Sequence, residues 1–588
     1  MSAKKIISKN QKKINSQPKS YTKLLLAALI LITVFVYFKS FNNQFITTWD
    51  DHGYVTENND IRTLHGDSLS YTLKKTFSEN VLGNYHPLTM LVYCIEYQKF
   101  KLNPKPYHVT NFILHLLNTL LVFFFIWLLT QQQWVAFITA LLFAVHPMHV
   151  ESVAWVSELK DVLYSFFYIA ALCSYIFYLN KEEKKKYFYV LTLFLFTASL
   201  FSKAMAVSLP IAFFAIDYFI GRKITSKTVL EKVPFIVLSF IFGFIAIEAQ
   251  RSASALAGLT QSNFFDRILF SCYGIMMYLW KLIVPMNLSC FYNYPDKQNG
   301  MLPFIFSVSP VLVAAVLFLI YKSQRFGKDV LFGFAFFFVT IVLVLQVLPV
   351  GDAVIADRYT YLPYIGLFFV IARLINNLIQ NKSEKSQSLK TISLASLSLF
   401  SLVCCYLSIQ RCKVWKDNIS LWSDAIEKYD KAPKSINNRG LAYSKVKQYD
   451  KAFEDFNRTI ELDKQFLEVY YNRGVSYFFL GKYDEAIKDY TAAIFYKPKF
   501  PLAFSNRGSA YFMLKRYDEA VKDYNTAIDQ DSKFAKVYCD RAGAYFTMRK
   551  FQPALEDALK AQELGYAVDP HFIEAIQESI KNAKQTVK

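Results

Sequence analysis

The sequence predicts an all-α protein in two parts, a polytopic bundle of about 11 transmembrane helices followed by an α-solenoid. Two observations support this prediction. Apolar runs recur up to residue 409, and several approach or exceed the roughly 17–25 residues that cross a bilayer. Beyond Arg411, charges of both signs become dense and a period of 34 residues begins, which is typical of stacked helix pairs.

The composition supports a membrane protein. The 588 residues are 54% hydrophobic and 19% charged, with a mean hydropathy of +0.21. Because apolar surface is abundant, a disordered chain is excluded for most of the length. The net charge of +20 suggests either a nucleic-acid-binding surface or a membrane protein with its basic residues on one side. The positions of the charges favour the second, so no nucleic acid is expected as a partner.

The first part begins with a basic tail, residues 1–23, which carries seven lysines and no acid. The apolar run Leu24 to Phe38 follows without a small-residue cleavage site, and we interpret it as an uncleaved first span. The membrane domain covers 24–410. Its further apolar runs lie near 111–129, 134–150, 162–179, 187–201, 205–220, 233–249, 303–320, 330–349, 361–378 and 389–409.

The lysine-rich connectors set the predicted topology. An eleven-span threading that starts inside places the tail and four basic connectors on the inner face, as the positive-inside rule requires. It requires the stretch 268–284 to lie in the interface or re-enter. The same threading places several segments together on the outer face: the large loop 39–109, 146–161, Ser202-Lys203, 250–302, 351–360 and everything after 410. We therefore predict an integral protein of the plasma (inner) membrane, if bacterial, with a cytoplasmic N-terminus and an extracytoplasmic solenoid.

The second part is built from a tetratricopeptide (TPR) pattern. The tripeptide Asn-Arg-Gly recurs at 438–440, 472–474 and 506–508, and Asp540-Arg541-Ala542 follows one period later. The small third residue lets paired helices approach closely. We predict a linker and partial repeat over 411–432, four repeats over 433–566 and a polar capping helix over 567–588.

The most suspicious motif for chemistry is Trp49-Asp50-Asp51, just past the first span. Adjacent carboxylates are costly near lipid and therefore suggest a site. An aspartate there is a candidate general base toward a hydroxyl group or a ligand for a divalent cation. The bland alternative is a solvated turn or helix cap, which is the more frequent role of two adjacent aspartates taken alone.

Further polar residues gather at predicted span ends. His146, Glu151, Glu158, Lys160 and Asp161 form one group, whose alternative role is ordinary polarity at a helix end. His86, Lys203, Arg358 and Tyr359 lie at other predicted outer ends. An arginine there is suited to grip a phosphate, and its alternative is a snorkelling interfacial side chain. The cysteines and histidines show no metal-ligand spacing, so no metal site is assigned.

Taken together, an acid near the first span and cations near later spans suit a reaction between a lipid-linked phosphate and a hydroxyl group. The order of motifs then resembles one family, the transmembrane and tetratricopeptide-repeat proteins of the TMTC type and their bacterial relatives. The resemblance rests on Trp49-Asp50-Asp51, Tyr85-His86-Pro87-Leu88, the 146–161 segment, Ser202-Lys203-x-Met205, Arg358-Tyr359-x-Tyr361-x-Pro363 and the repeats. One position departs: bacterial relatives of this type often read Glu-Arg-Lys-Asp where this chain has Glu158-Leu159-Lys160-Asp161.

The resemblance implies a GT-C glycosyltransferase fold, a polyprenyl-phosphate sugar donor and O-glycosylation of protein Ser/Thr, which is mannosylation in the eukaryotic members. It places the catalytic base on Asp50 or Asp51 and donor-phosphate binding on Arg358, Lys203 and Lys160. His86, His146, Glu151, Glu158, Asp161 and Tyr359 then line the site. GT-C enzymes include both metal-independent and metal-dependent kinds, so the resemblance leaves a divalent cation open and assigns no metal ligand.

The repeats suggest a surface for a protein acceptor or partner. Asn438, Asn472 and Asn506 recur on the inner helix of successive units, where a ladder of amides can hydrogen-bond an extended peptide. The alternative is bonding within the solenoid. Two other function classes compete with the enzyme: a non-catalytic, membrane-anchored TPR scaffold for envelope protein assembly, and a transporter. The candidate residues lie mostly at span ends, which argues against transport.

Overall fold

The computed structural model describes residues 21–62, 69–252, 263–295, 297, 299–322, 327–347, 353–380 and 384–586. Most of the basic tail and parts of the loops 39–109, 250–302 and 351–360 lie outside the described residues. The chain divides into two compact units, Met1–Lys428 and Tyr429–Lys588. Each is all-α among the described residues, apart from two isolated bridges in the first.

The first unit contains the membrane helices. Its helices are α1 Thr22–Tyr37, α2 Leu69–Ser78, α3 Pro87–Phe100, α4 Pro104–Thr130, α5 Gln133–Val145, α6 Val150–Ala154, α7 Leu159–Asn180, α8 Lys185–Ser202, α9 Leu209–Ile220, α10 Ser226–Leu230, α11 Val233–Ser252, α12 Phe264–Ile283, α13 Phe304–Lys322, α14 Lys328–Ile341, α15 Tyr364–Gln380, α16 Glu384–Val414 and α17 Asn418–Lys428. Single turns of 3-10 or π-helix fill several connections.

Six helical segments are long and apolar enough to cross a membrane, by length and composition. They are Thr22–Asn42, Pro104–Thr130, Val156–Asn180, Val233–Ser252, Phe304–Lys322 and Gln387–Val414. A seventh results if Gln133–Val145 and Pro147–Ala154 count as one span, although they are bent by 58°. The chain is therefore an integral membrane protein.

The count of about 11 spans thus falls to six or seven by this measure. The predicted runs 205–220, 330–349 and 361–378 overlap α9, α14 and α15, which have 12, 14 and 17 residues. At 1.5 Å per residue, such helices fall short of the roughly 30 Å of hydrocarbon. The run 187–201 lies in α8, which has 18 residues but begins with two lysines. The stretch 268–284 lies in α12 up to Ile283, and α12 is not among the six.

Small residues let helices of the first unit pack closely. Gly333 on α14 faces Gly366 on α15, and a Cβ added at Gly333 would lie 2.4 Å from the Gly366 carbonyl oxygen. No side chain fits there. Such close approach gives membrane helices the van der Waals contact that holds them together, because lipid supplies no hydrophobic drive between them. This contact orients α15, which directly follows the Arg358 segment.

The second unit is a solenoid of helix pairs. Its helices are α18 Pro433–Lys445, α19 Tyr449–Leu462, α20 Leu467–Phe479, α21 Tyr483–Tyr496, α22 Pro501–Met513, α23 Tyr517–Gln530, α24 Ala535–Thr547, α25 Phe551–Glu563 and α26 Pro570–Thr586. In three repeats a glycine of the first helix lies against a ring of the second: Gly440 on Phe456, Gly474 on Tyr490 and Gly508 on Tyr524. In the fourth, Ala542 and Ala558 occupy these positions, and both are buried in one cluster. In this repeat the residue at the glycine position is larger than glycine, and the residue at the ring position is smaller than Phe or Tyr.

Replacing Gly474 by alanine is expected to lower the free energy of unfolding of the solenoid by about 1–3 kcal/mol, the usual cost of overpacking. The new methyl group would lie 2.9 Å from the Tyr490 ring. Gly543→Ala is the matched control, since nothing lies within 4 Å of a Cβ there, and a helical Gly→Ala change alone stabilises by up to about 1 kcal/mol. Urea unfolding of residues 429–588 measures both variants. Equal stability of the two would contradict the packing described.

Candidate functional site

Two backbone breaks shape the centre of the candidate site. Pro147 requires an extended conformation at His146, which has φ −72° and ψ 129°, so α5 ends there. Trp155 is also extended, with φ −95° and ψ 124°, and it ends the short helix α6. The acidic residues Glu151 and Glu158 are therefore held on short helical turns between α5 and α7.

Glu158 lies at the centre of a buried charged cluster. Its side chain is 1% exposed, and three cations surround it. Lys160 Nζ is 3.3 Å from Oε1, Lys203 Nζ is 3.7 Å from Oε2, and Arg358 Nε is 3.4 Å from Oε1. These residues come from the start of α7, the end of α8 and the turn before α15. A buried carboxylate is tolerated only when it is paired in this way.

Two further carboxylates complete the cluster. Glu151 forms an ion pair with Arg358, with 2.5 Å between Oε1 and Nη1, and its Oε2 accepts the Arg358 backbone N–H at 3.2 Å. Asp161 forms an ion pair with Lys203 and accepts a hydrogen bond from Ser152. Lys203 and Arg358 each keep 16% of the side chain exposed. The two cations therefore retain an accessible side.

The adjacent aspartates have different environments. Asp51 is fully buried and accepts hydrogen bonds from the Ile46 N–H at 2.6 Å, the Ser157 N–H at 3.0 Å and the Ser157 hydroxyl. Burial raises the pKa of Asp51 to about 7, against these hydrogen bonds, which favour the carboxylate. Both its oxygens are thus engaged within the fold.

Asp50 is half-buried, and its carboxylate interacts electrostatically with Lys160. The Asp50 backbone carbonyl accepts the N–H groups of Gly53 and Tyr54, both at 3.0 Å. These two bonds start the helical turn that follows the motif. The main chain is therefore fixed while the residue stays partly exposed, which is the condition for reaching a substrate.

Aromatic rings border the cluster. The rings of Trp49 and Trp155 lie 4.3 Å apart. The Arg358 guanidinium lies 5.6 Å from the Trp155 ring and 5.0 Å from the ring of Tyr359, and Lys160 Nζ lies 4.8 Å from the ring of Tyr54. Cation–π contacts of this length hold the cations in place without neutralising their charge.

The two histidines predicted to line the site lie in different surroundings. His86 lies 5.2 Å from the Tyr54 ring and interacts electrostatically with Lys160 and Lys203. Burial, with these cations, lowers the pKa of His86 to about 3, so its imidazole is neutral. His146 lies elsewhere: its ring packs against Tyr364 and Phe368 at 5.4 Å each, and its Nε2 lies 3.2 Å from the Leu282 carbonyl. The structure thus places His146 in an aromatic core.

The structure brings together most of the predicted site residues. Ion pairs or electrostatic contacts join Asp50, His86, Glu151, Glu158, Lys160, Asp161, Lys203 and Arg358, with Tyr359 stacked on Arg358. Sequence reasoning missed Ser157, which joins Asp51 to the cluster. It carries no motif of its own, and its partner lies 106 residues away. Among the described residues, no group of three or more His, Cys, Asp or Glu is placed to hold a metal ion.

The solenoid asparagines bond within the solenoid. Asn472 Nδ2 donates to Asn437 Oδ1 at 3.1 Å, and Asn506 Nδ2 donates to the Tyr471 hydroxyl at 3.0 Å. Asn438 Oδ1 accepts from Asn437 at 3.3 Å. These bonds match the alternative weighed above, and peptide binding by the ladder stays a prediction.

Sequence reasoning also missed the role of the arginine that follows each of these asparagines, and of Arg541 in the fourth repeat. Each grips an aspartate 16 residues later through two hydrogen bonds: Arg439 with Asp455, Arg473 with Asp489, Arg507 with Asp523 and Arg541 with Asp557. These pairs join the two helices of each repeat. The 34-residue period at both positions was the signal available in the sequence.

Comparison with known proteins follows this division. Residues 103–248 match the family described as dolichyl-phosphate-mannose-protein mannosyltransferase, and 433–466 and 471–533 match the tetratricopeptide repeat. Protein O-mannosyl-transferase F38B6.6 of Caenorhabditis elegans is 26% identical over 59% of this chain and 49% of its own length. The chain is similar in sequence to protein O-mannosyl-transferases of the TMTC type.

Two named TMTC proteins show the same similarity. Protein O-mannosyl-transferase TMTC3 of Mus musculus is 25% identical over 69% of this chain and 48% of its own length. Human TMTC1 is 30% identical over 29% of this chain and 21% of its own. The chain thus spans about half the length of the first two curated TMTC relatives it matches. Among solved structures, MamA aligns with 25% of this chain and 85% of its own, with 21% identity and a TM-score of 0.24.

Proposed function

We propose that this TMTC homologue is a membrane glycosyltransferase of the GT-C kind, which transfers a sugar from a polyprenyl-phosphate donor to a protein Ser or Thr hydroxyl. One observation carries the proposal. Lys160, Lys203 and Arg358 meet around one buried glutamate, and Asp50 lies within electrostatic reach of Lys160. The homology to a family described as using dolichyl-phosphate-mannose supports mannose as the sugar.

The proposed step is a displacement at the anomeric carbon. Asp50 accepts the proton of the acceptor hydroxyl, whose oxygen attacks that carbon. The bond from this carbon to the phosphate oxygen breaks, and polyprenyl phosphate leaves with the bonding electrons. Arg358 and Lys203 stabilise the negative charge that develops on the phosphate, which is where fixed cations contribute most to the rate.

The two aspartates are proposed to have separate roles. Asp50 is partly exposed, so it is assigned as the base. Asp51 has both oxygens engaged by Ile46 and Ser157, so it is assigned to positioning the loop. Burying Asp51 costs free energy that the fold must supply, and the gain is a fixed main chain at Asp50.

The membrane topology and the role of the solenoid are part of the same proposal. With short or bent helices included, the eleven-span threading places the cluster and the solenoid on the extracytoplasmic face, and the tail in the cytoplasm. The solenoid is proposed to bind the acceptor protein or a partner, with Asn438, Asn472 and Asn506 as candidate peptide contacts. Asn472 donates one amide hydrogen to Asn437, and its second hydrogen would serve a peptide.

Transfer by the purified full chain, reconstituted in vesicles, tests this function. The assay supplies polyprenyl-phosphate mannose, polyprenyl-phosphate glucose or a nucleotide sugar, and mass spectrometry detects hexose on Ser/Thr peptides. Transfer from a lipid-phosphate donor alone is expected. If the solenoid alone, tethered by an unrelated span, is sufficient to restore the function of a deletion strain, the scaffold alternative is correct instead.

Chelation of divalent cations is expected to leave transfer unchanged. Glu151, Glu158 and Asp161 are each neutralised by a basic side chain, and none is free to bind a hard cation without breaking an ion pair. The measurement is the initial transfer rate in EDTA and in added Mg²⁺ or Mn²⁺. A rate that disappears in EDTA and returns with one metal would contradict the assignment of the charge stabilisation to Arg358 and Lys203.

A further inference from the structure

The segment after the last membrane helix lies against the loop that carries the acidic motif. This segment, residues 412–422, contains the end of α16 and the start of α17, and it belongs to the first compact unit. The loop, residues 43–49, precedes Asp50 directly. The two segments are separated by about 370 residues of sequence, since Thr48 and Asn418 differ by 370 positions.

Asn418 makes the densest set of contacts between them. Its side-chain oxygen accepts the Thr48 backbone N–H at 2.9 Å and the Thr48 hydroxyl at 2.7 Å. Its amide nitrogen donates to the Phe45 carbonyl at 3.3 Å. One side chain thus forms hydrogen bonds with three polar groups of this turn.

Four neighbouring contacts repeat the link. The Trp422 indole N–H donates to the Thr48 hydroxyl oxygen at 2.7 Å, the Gln44 N–H donates to the Lys416 carbonyl at 2.8 Å, and Asn43 donates to the Cys412 carbonyl at 3.3 Å. The Trp49 ring also lies 5.2 Å from that of Trp422. Trp422 is fully buried, so this contact excludes water from the base of the loop.

The same loop is fixed from its other side by Asp51. Asp51 accepts the Ile46 N–H and is tied to Ser157 next to the charged cluster. Residues 44–49 are therefore held between Asn418 and Asp51, and Asp50 follows them without an intervening flexible residue. A displacement of this loop moves the Asp50 carboxylate relative to Lys160 and the donor.

We infer that Asn418 is a positioning residue for the proposed reaction: with Thr48 and Trp422 it holds the Trp49-Asp50 loop at the distance where Asp50 takes the acceptor proton. The inference rests on the proposed function. Misplacing a reacting group by about 1 Å costs about 100-fold in rate. Donor binding is unaffected, because the cations that hold the phosphate lie on other segments.

The test compares full-chain variants in the same vesicles. Asn418→Ala and Thr48→Val are each expected to lower kcat by about 10- to 100-fold and leave the donor KM unchanged. Thr48→Ser keeps the hydroxyl and is expected to keep kcat. The kcat of the double variant is expected to equal that of the less active single variant, because both changes remove the same network of hydrogen bonds. Ser408→Ala is the matched control. Ser408 lies on α16, and its substitution also removes a buried side-chain hydrogen bond, the one to the Val145 carbonyl.

Hydrogen exchange gives a readout that needs no activity. Asn418→Ala is expected to raise exchange at residues 44–56, and Ser408→Ala to leave that segment unchanged. Wild-type kcat in Asn418→Ala, a kcat loss no larger than in Ser408→Ala, or unchanged exchange at 44–56 would each overturn the inference. A wild-type chain that transfers no sugar refutes the proposed function, and the exchange comparison still decides the positioning of the loop.

Discussion

Replacing Asp50 by asparagine is expected to lower kcat for sugar transfer by about 100- to 10,000-fold, the range that a general base contributes. The asparagine keeps the size of the side chain and the backbone bonds to Gly53 and Tyr54, but its amide cannot accept the hydroxyl proton. The measurement is the transfer rate at saturating donor. The donor KM is expected to stay near the wild-type value.

Two matched variants make this prediction specific. Asp60→Asn removes an acid of the same outer segment whose partner is Lys75, and it is expected to transfer normally. Asp51→Asn is expected to lower both activity and thermal stability, because an amide nitrogen would face either the Ile46 N–H or the Ser157 donors. Full activity in Asp50→Asn would show that Asp50 is not the general base.

Replacing Arg358 by glutamine is expected to lower kcat/KM for the donor by about 100- to 1,000-fold, the effect of losing one group that stabilises transition-state charge. Arg358→Lys is not expected to restore it. The guanidinium reaches Glu151 through Nη1 and Glu158 through Nε, and a single ammonium cannot repeat that geometry.

The matched control for Arg358→Lys is Arg373→Lys. Arg373 lies on α15, forms a 2.8 Å ion pair with Asp329, and is 18% exposed, compared with 16% for Arg358. It is expected to retain kcat/KM. Product inhibition by polyprenyl phosphate provides a second readout, since loss of a phosphate contact weakens the inhibitor as well. Equal losses in both arginine variants would indicate a general effect on folding.

The solenoid and the charged residues could be predicted because their signals are local. A period of 34 residues is visible in one chain, and Gly474 already indicated a close helix contact, for which the structure supplies Tyr490 as the partner. The charges at 158–161 stood out against apolar surroundings. The missing arginine at Leu159 weakened any phosphate role for that segment, yet the structure supplies a guanidinium there from Arg358, about 200 positions away.

The remaining features depend on distant contacts that leave no local pattern. Ser157 and Asn418 are ordinary polar residues, and only the fold brings them to Asp51 and Thr48. His146 carried a suggestive motif, but Pro147 ends its helix and the ring turns into an aromatic core. More spans were predicted than there are helices that pass the length and composition test, because hydropathy detects apolar runs and not the length of an unbroken helix.

The most direct test of the central claim is hexose transfer by the reconstituted full chain, with released polyprenyl phosphate counted against hexose gained by the peptide. Asp50→Asn is measured beside the wild type. The account predicts one polyprenyl phosphate released for each hexose transferred by the wild type, and almost none by the variant. No transfer by the wild type from any lipid-phosphate hexose, or equal transfer by both proteins, would contradict it.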